Sequence, residues 1–272
     1  MNKLIRYMIK LSAALTFGIL FFIIGYILMR GIPNLRPSLF QLKYTTDNVS
    51  LFPAIITTIM IVIITLIIAT PIGVFTGFYL IEYAKKGSKL VEIIRITTET
   101  LSGIPSIVFG LFGMLFFVIR LGFQYSLMAG TLTAAIMVLP LIIRSTEEAL
   151  LSVDDSLREA SFGLGAGKLR TIFKVVLPVA IPGILSGIIL SIGRIVGETA
   201  ALMYTLGTAA KIPNGLFSSG RTLSLHMYLL STEGMHVEES YATGVILLIL
   251  VLVINSLSTY MSNKLKKGGY DG

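Results

Sequence analysis

Six long apolar stretches, separated by short polar segments, dominate the hydrophobic pattern of the chain. Each approaches or exceeds the roughly 20 apolar residues that a helix needs to cross a bilayer core of about 30 Å. The second stretch is too short for two spans and a turn, so we expect one helix with a bend at Pro71. The pattern therefore predicts six membrane-spanning helices. They lie near residues 11–29, 53–81, 101–119, 126–143, 176–205 and 242–260.

Apolar residues also recur with a helical period in the polar segment between the fourth and fifth stretches. Gly165 interrupts this period, and glycine commonly ends a helix because it adopts the left-handed backbone conformation. Ser152 and Asp155 resemble a capping box that would start the first helix. The segment therefore predicts two short amphipathic helices joined at Gly165. Their apolar positions are Leu157, Ala160 and Leu164 before the glycine and Leu169, Ile172, Phe173 and Val176 after it.

Composition places the chain in a membrane rather than in water. Hydrophobic residues make up 54% of the chain and charged residues only 13%, whereas soluble domains are about 25% charged. The chain has no cysteine and only two histidines, His226 and His236, so neither thiol chemistry nor a zinc site is expected. No internal repeat or low-complexity linker divides the sequence. We expect one all-α integral membrane domain covering residues 1–272.

The distribution of positive charge argues for membrane topology rather than for nucleic-acid binding, despite the net charge of +8. Fifteen of the 22 lysines and arginines lie in segments on the side of the N-terminus, six lie on the opposite side, and Arg194 falls inside a span. Because basic residues concentrate on the cytoplasmic side of a membrane protein, this asymmetry predicts that both termini are cytoplasmic. The longest outer segment, 206–241, contains a possible short helix at Leu223–Leu230 and offers a docking surface.

The predicted amphipathic hairpin resembles the EAA loop of ATP-binding-cassette (ABC) importer permeases, the binding-protein-dependent inner-membrane components. Ser161 replaces the second alanine of that pattern and Val175 replaces its isoleucine. In that family the loop projects into a cleft of the ATPase subunit, so the resemblance implies that residues 144–178 form a cytoplasmic coupling loop. The matching residues that we expect to contact the ATPase are Glu159, Ala160, Ser161, Gly165, Leu177 and Pro178.

The chain carries no nucleotide-binding loop of its own. The nearest imitation runs from Gly163 to Lys168, but a Walker A motif would need glycine where Phe162 stands and serine or threonine where Leu169 stands. We therefore expect a non-catalytic subunit without cofactor or metal, whose ATP is hydrolysed by a partner chain.

Two charged residues inside the fifth stretch, Arg194 and Glu198, most need an explanation. A charge at the centre of a spanning helix costs roughly 2.5–3.5 kcal/mol by insertion scales, so it usually faces a bundle interior or a water-filled path. Their spacing of four predicts that they share one helical face, about one turn apart. One interpretation is a structural ion pair. The other is a path for an oxyanion, in which Arg194 binds the anion bidentately and Glu198 orients Arg194 or accepts a hydrogen bond from a protonated phosphate oxygen.

The sequence from Gly193 to Ala200 resembles the fifth-helix motif of phosphate importer permeases, and Ser102 to Gly113 resembles their third span. Length and a short N-terminus are more similar to the A-type subunit of that family. The resemblance implies that Arg194 and Glu198 take part in phosphate passage. Thr199, Ser102 and Ser106 are further candidates for the substrate path, although small polar residues in spans more often serve helix packing.

The resemblance also implies the partners of the chain. They would be a homologous second permease, a dimer of ATP-binding subunits and an extracytoplasmic phosphate-binding protein, assembled in the lipid of a bacterial or archaeal cytoplasmic membrane. Three alternatives remain open. The chain could carry another oxyanion, such as sulfate, molybdate or phosphonate, as an ABC permease. It could be a secondary transporter or channel that works without an ATPase, or a scaffold whose basic loops bind acidic lipids.

Overall fold

The computed structural model describes residues 3–85 and 87–268, and within them the chain is helical, with no strand. Three of the helices continue into wider π-helical turns, at Tyr79–Tyr83, Met114–Arg120 and Ile172–Val176. Two 3₁₀ turns, Ile32–Asn34 and Pro37–Phe40, follow the first helix. The α-helices are α1 (Lys3–Gly31), α2 (Phe52–Phe78), α3 (Lys89–Ser102), α4 (Ser106–Gly113), α5 (Leu127–Leu151), α6 (Asp155–Gly163), α7 (Lys168–Thr171), α8 (Leu177–Gly197), α9 (Ala200–Met203), α10 (Leu223–Glu233) and α11 (Val237–Gly268).

Five helical segments are long and apolar enough to cross a membrane by themselves, and the all-α membrane fold is confirmed. The second of them is a single continuous helix, as predicted. The third predicted span is different, because α3 and the helix that starts at Ser106 meet at 106°. Pro105 precedes that helix and cannot donate a backbone hydrogen bond, so the chain bends there. The five segments are Leu4–Asn34, Phe52–Tyr83, Leu127–Leu151, Lys168–Gly197 and Val237–Tyr260.

The main core lies where α2, α5 and α8 pack together. Glycines on α2 permit close contact with α5, since a Cβ on Gly73 would lie 2.7 Å from the side chain of Ile142 and one on Gly77 would lie 2.7 Å from Thr146. Such small residues let spanning helices approach closely. This packing fixes α8, the helix that carries Arg194. The side chains fully enclosed in this core include Ile61, Leu127, Met137, Ile142, Ile195 and Leu202.

A second, smaller core lies where the segment after α1 covers α10 and α11. It contains Leu39, Leu51 and Leu223, all within 2% of full burial. The predicted short helix in the long outer segment is confirmed as α10. Its His226 is completely enclosed.

The enclosed His226 predicts a pH dependence of folding stability. Burial, and after it the positive charge of Arg221, lowers the pKa of His226 from 6.5 to about 3. Between these two pH values the unfolded chain binds a proton that the folded chain does not, so the free energy of unfolding falls as pH falls. The loss is about 2 kcal/mol between pH 7 and pH 5. We expect the thermal unfolding midpoint of the solubilised protein to drop over this range.

His226→Gln removes the titrating ring and should flatten this drop, whereas His236→Gln, which changes a partly exposed histidine, should retain it. Equal slopes for the wild type and His226→Gln would show that another group is responsible.

The start of the coupling hairpin differs from the prediction. Asp154, and not Ser152, caps α6, and its carboxylate accepts a hydrogen bond of 2.9 Å from the backbone N–H of Ser156. The hydrogen bond from the backbone N–H of Ser156 lowers the pKa of the Asp154 carboxylate. Ser152 instead ends α5 and donates to the carbonyl of Ala149. The capping box is wrong because α5 extends to Leu151 and so leaves Ser152 on the preceding helix.

Candidate functional site

Glu198 lies just beyond the end of α8 and not on its face. α8 ends at Gly197, and the backbone of Glu198 is extended, with ψ of 128°. Its Oε1 accepts a hydrogen bond of 2.9 Å from the backbone N–H of Ala201, so the carboxylate caps the short helix α9. The backbone carbonyl of Glu198 accepts from Ser224 Oγ at 2.8 Å, which fixes the break against α10. The prediction that Arg194 and Glu198 share one helical face is therefore wrong.

Arg194 occupies the last turn of α8 and is only partly buried. Across residues 3–85 and 87–268 it takes part in no salt bridge, so the structural ion pair between Arg194 and Glu198 is not formed. It lines a groove of about 650 Å³ between α5, α8 and α11, together with Ser186 and Asn255. The guanidinium is thus available to a ligand at a surface with few other polar groups.

This groove adjoins two more, which lead along α5 and α8. The next, of about 460 Å³, shares Leu141, Ser186 and Leu190 with the first and adds Arg144. The third, of about 160 Å³, shares Arg144 with the second and is lined by the salt-bridged pair of Arg95 and Glu147, whose N–O distance is 3.2 Å. Polar groups therefore accompany one face of α5 and α8 from Arg194 to the end of α5 that joins the coupling hairpin.

Sequence reasoning missed Asn255 as a residue of the groove. One signal could have found it: a lone amide within the otherwise apolar last span, where a polar side chain usually faces the bundle interior or a cavity. In the sequence, Arg144 served only as one of the basic residues that predict the cytoplasmic side of the membrane.

The three other candidates for the substrate path lie in other settings. Ser102 ends α3, is exposed and donates to the carbonyl of Glu99 at 2.7 Å. Ser106 is the first residue of α4. Thr199 lies beside Glu198, and its Oγ1 is 3.5 Å from the carbonyl of Gly197, the length of a weak hydrogen bond. None of the three lines any of these three grooves, and their contact with substrate stays a prediction.

The motif from Ser102 to Gly113 instead supports the position of Glu198. A Cβ added to Gly110 would lie 2.9 Å from Cα of Ala201, so α4 and α9 are in close contact there. Since Ala201 also donates to the Glu198 carboxylate, this packing helps to hold the carboxylate in place.

The coupling hairpin presents an exposed surface that includes Glu159, Ala160 and Gly165. Leu164 is 89% exposed, and Phe162 and Leu169, near it in sequence, are 47% and 62% exposed; a group of exposed large apolar side chains is typical of a docking surface. Ser161 Oγ lies 2.9 Å from Thr171 Oγ1 and joins α6 to α7. Leu177 and Pro178 are the first two residues of α8, where proline is favoured because its missing N–H is not needed.

Arg158 clamps the hairpin to the end of α2, and this contact joins residues 76 positions apart. Its Nη2 lies 3.1 Å from Glu82 Oε1, and both side chains are largely buried, at 15% and 10% exposure. The same guanidinium donates to the carbonyls of Leu150 and Val153, at 2.9 and 2.8 Å. Lys168 donates to the backbone carbonyl of Glu82. The hairpin, the end of α5 and the end of α2 therefore form one hydrogen-bonded unit.

Gly165 is the turn of the hairpin and has φ of +80°, as predicted, whereas the φ of Gly163 is negative. A Cβ at either position meets no atom within 4 Å, so the two glycines differ only in their backbone conformation. Gly165→Ala should destabilise the turn by about 1 kcal/mol, because the left-handed conformation costs an L-residue that much. Gly163→Ala should be neutral or stabilising. Faster hydrogen exchange of the 155–171 amides in Gly165→Ala alone is the expected result, and equal exchange in both variants would contradict it.

Comparison with known proteins places this geometry in a family. Residues 69–267 match the family model described as "Binding-protein-dependent transport system inner membrane component". The chain is 34% identical to the "Probable ABC transporter permease protein YqgI" of Bacillus subtilis, over 98% of this chain and 96% of that one. It is 32% identical to the "Phosphate transport system permease protein PstA" of Yersinia pestis, over 93% and 88% of the two chains. The match to the "Phosphate transport system permease protein PstA 1" of Mycobacterium tuberculosis is 38% identical, over 69% of this chain and 61% of the relative.

Solved structures share the fold. A subunit of the inward-facing MetNI methionine ABC transporter superposes with a TM-score of 0.59 and 21% identity, covering 89% of this chain and 97% of that one. A subunit of a bacterial ABC transporter involved in the import of alginate superposes with a TM-score of 0.57 and 15% identity, covering 95% and 99%.

Proposed function

The chain belongs to the family of binding-protein-dependent transport system inner membrane components, and we propose that it is the permease subunit of an ATP-driven importer of inorganic phosphate. The observation that carries the proposal is the guanidinium of Arg194, which lines a groove and has no salt bridge among the described residues, four positions before the buried Glu198. Relatives that are named phosphate transport system permease proteins support the choice of substrate.

The two side chains suit hydrogen phosphate in different ways. A guanidinium forms two parallel charge-assisted hydrogen bonds with a phosphate oxygen pair. Glu198 uses Oε1 to cap α9, which leaves Oε2 to accept a hydrogen bond from a protonated phosphate oxygen. Sulfate has no such proton at neutral pH, so it would leave a buried acceptor unpaired beside an anion. Discrimination of this kind rests on rejection of the wrong ligand as much as on attraction of the right one.

The rest of the assembly follows from the surfaces of the chain. A second, homologous permease would cover the three grooves and complete the path. One subunit of an ATPase dimer would bind the exposed hairpin surface around Glu159 and Leu164, and the dimer would hydrolyse the ATP, so we expect no cofactor or metal in this chain. A phosphate-binding protein would deliver the substrate to the outer segments. The chain would cross the cytoplasmic membrane with both termini on the cytoplasmic side, as its basic residues predict.

A transport assay tests this proposal directly. The chain and its neighbouring partner genes are expressed in a bacterium without phosphate importers of its own, and uptake of radiolabelled phosphate is measured. We expect uptake that stops when the Walker A lysine of the ATPase is replaced, and that excess sulfate, molybdate or phosphonate does not inhibit. Uptake that survives without the ATPase would identify a secondary transporter or channel. Strong inhibition by sulfate would indicate that the substrate is another oxyanion and not phosphate.

A further inference from the structure

A buried cation and a buried imidazole, Arg221 and His226, lie together on the outer segment without polar partners. Arg221 is 6% exposed and His226 is fully enclosed. Nε and Nη2 of Arg221 have no hydrogen-bond partner within residues 3–85 and 87–268, and the ring of His226 has only a poorly aligned contact with the backbone of Val49. Both side chains contact the ring of Tyr44, which lies 4.6 Å from the guanidinium carbon and 6.0 Å, edge to face, from the imidazole.

The guanidinium of Arg221 lacks a counter-charge. Arginine stays protonated in proteins, so it cannot avoid the cost of burial by losing its charge. Buried charges are normally paired and hydrogen-bonded, yet Arg221 belongs to none of the salt bridges among the described residues. The ring of Tyr44 supplies a cation–π contact, which is weaker than the desolvation cost of the ion. An anion at this place would remove the deficit.

The neutral imidazole of His226 suits one class of anion. A neutral ring has one N–H donor and one acceptor nitrogen. Beside an oxyanion that carries a proton, the donor can bind an unprotonated oxygen and the acceptor can bind the P–OH. Arg221 offers two further donors in a fixed fork. Together these groups match hydrogen phosphate. A simple halide carries no proton and would leave the acceptor nitrogen without a partner.

The pair lies close to the Glu198 break in the fold. α10, which carries His226, is hydrogen-bonded to the carbonyl of Glu198 through Ser224. The start of α10 is also held to α2, because the N–H of Leu223 donates to Thr58 Oγ1 at 2.9 Å. Arg221 and His226 therefore flank the very segment that contacts the proposed phosphate site.

A strained loop covers the pair. Tyr44 is partly exposed and lies between the enclosed groups and the surface. The same loop ends at Val49, a buried β-branched residue with φ of +46°. Such a residue adopts the left-handed region only when its surroundings impose it, and this strain is concentrated at clamps and switches. Opening of this loop would release the strain at Val49, which offsets part of the cost of the hydrogen bonds that it would break.

We propose that Arg221 and His226 form a second oxyanion subsite, outside Glu198, which receives hydrogen phosphate when Tyr44 moves aside and passes it on to Arg194. This inference rests on the proposed function, because it gives that path an entry point. The subsite explains why a buried charge without a partner is retained at the outer end of a membrane protein.

Equilibrium binding of radiolabelled inorganic phosphate tests the subsite. The preparation is the solubilised transporter, containing this chain, its partner permease and the ATPase, but not the binding protein. Arg194→Gln is used as the background, because it removes the inner site. We expect this background to retain phosphate binding, and the addition of Arg221→Met to weaken that binding by about tenfold or more. The matched control adds Arg120→Met, which removes an exposed arginine and should change nothing.

A second variant keeps the test decisive if Arg221→Met does not assemble. Arg221→Lys keeps the charge but loses the fork, and it should weaken binding severalfold in the same background. Equal affinity of the Arg221 and Arg120 variants, at normal abundance, would overturn the proposal. So would normal affinity combined with poor assembly of the two permeases, since Arg221 would then pair with the partner permease. Uptake by the wild type is measured in parallel. Failure of wild-type uptake counts against the proposed function, whereas normal uptake without an Arg221-dependent site counts against the subsite alone.

Discussion

Replacement of Arg194 by glutamine is expected to reduce phosphate uptake about a hundredfold while the transporter still assembles. The change would remove the pair of charge-assisted hydrogen bonds to the substrate that we propose for Arg194, which together would contribute about 3 kcal/mol. The side chain is only partly buried and takes part in no salt bridge among the described residues, so its loss leaves no buried partner unpaired. The measurement is the initial rate of radiolabelled phosphate uptake at matched membrane abundance.

Two further variants separate the effect of the positive charge from that of the bidentate hydrogen bonds. Arg194→Lys retains the charge without the bidentate fork and should lose about tenfold. Arg120→Gln, which changes an exposed arginine, should transport like the wild type. If Arg194→Gln keeps more than about half of the wild-type rate, Arg194 does not contact substrate.

A variant of Glu198 tests selectivity between phosphate and sulfate in the same uptake assay. In Glu198→Gln, the amide oxygen can still cap α9 through the N–H of Ala201, but the second atom becomes an N–H₂ donor. We expect phosphate uptake to fall and inhibition by sulfate to rise, because a donor replaces the acceptor that excludes sulfate. Unchanged sulfate exclusion would assign Glu198 a structural role.

Replacement of Arg158 by methionine is expected to uncouple the transporter. The change leaves the buried carboxylate of Glu82 without its partner, a loss of about 3–5 kcal/mol for a buried pair. It also leaves the carbonyl of Val153 without a donor and removes one donor from the carbonyl of Leu150, and so loosens the hairpin from α5 and α2 together. We expect phosphate uptake to fall at least about tenfold, while ATP hydrolysis continues without stimulation by the loaded binding protein.

Asp155→Asn is the matched control for this variant. Asp155 is the other carboxylate that Arg158 contacts, at 3.0 Å, but it is 88% exposed. An exposed pair contributes at most about 1 kcal/mol, so uptake and stimulated ATP hydrolysis should stay near wild type. Similar defects in both variants would show that the clamp to α2 has no special role. Normal coupling in Arg158→Met would show that the hairpin transmits motion through α8 alone.

Local patterns in the sequence predicted most of the fold. Apolar run lengths identify the spans, and the period around Gly165 identifies the hairpin, because both depend on neighbouring residues. The third span is the exception: Pro105 interrupts it, and α3 before it is amphipathic and has no buried side chain. A pattern of hydropathy alone does not distinguish a straight span from a bent one.

The site was predicted less completely, for reasons of tertiary structure. The spacing of Arg194 and Glu198 fits a helix, but the carboxylate turns away to cap α9 and the carbonyl bonds to α10. Neither partner is near in sequence. The same holds for the contact of Arg158 with Glu82, since no local period can announce an ion pair between residues 76 positions apart.

Two π-helical turns border the hairpin where it contacts α2 and where it leads into α8, and they bear on how it could transmit force. In the part of the chain that the structure describes, π-helical turns lie at Tyr79–Tyr83, which includes Glu82, and at Ile172–Val176, which leads into α8. A π-helical turn holds one extra residue and is frequently found at functional sites. We therefore expect the clamped hairpin to act as a stiff lever on two compliant turns. When its exposed face is pushed, torque should reach the spanning helices as rewinding of these turns, and the lever itself should keep its shape.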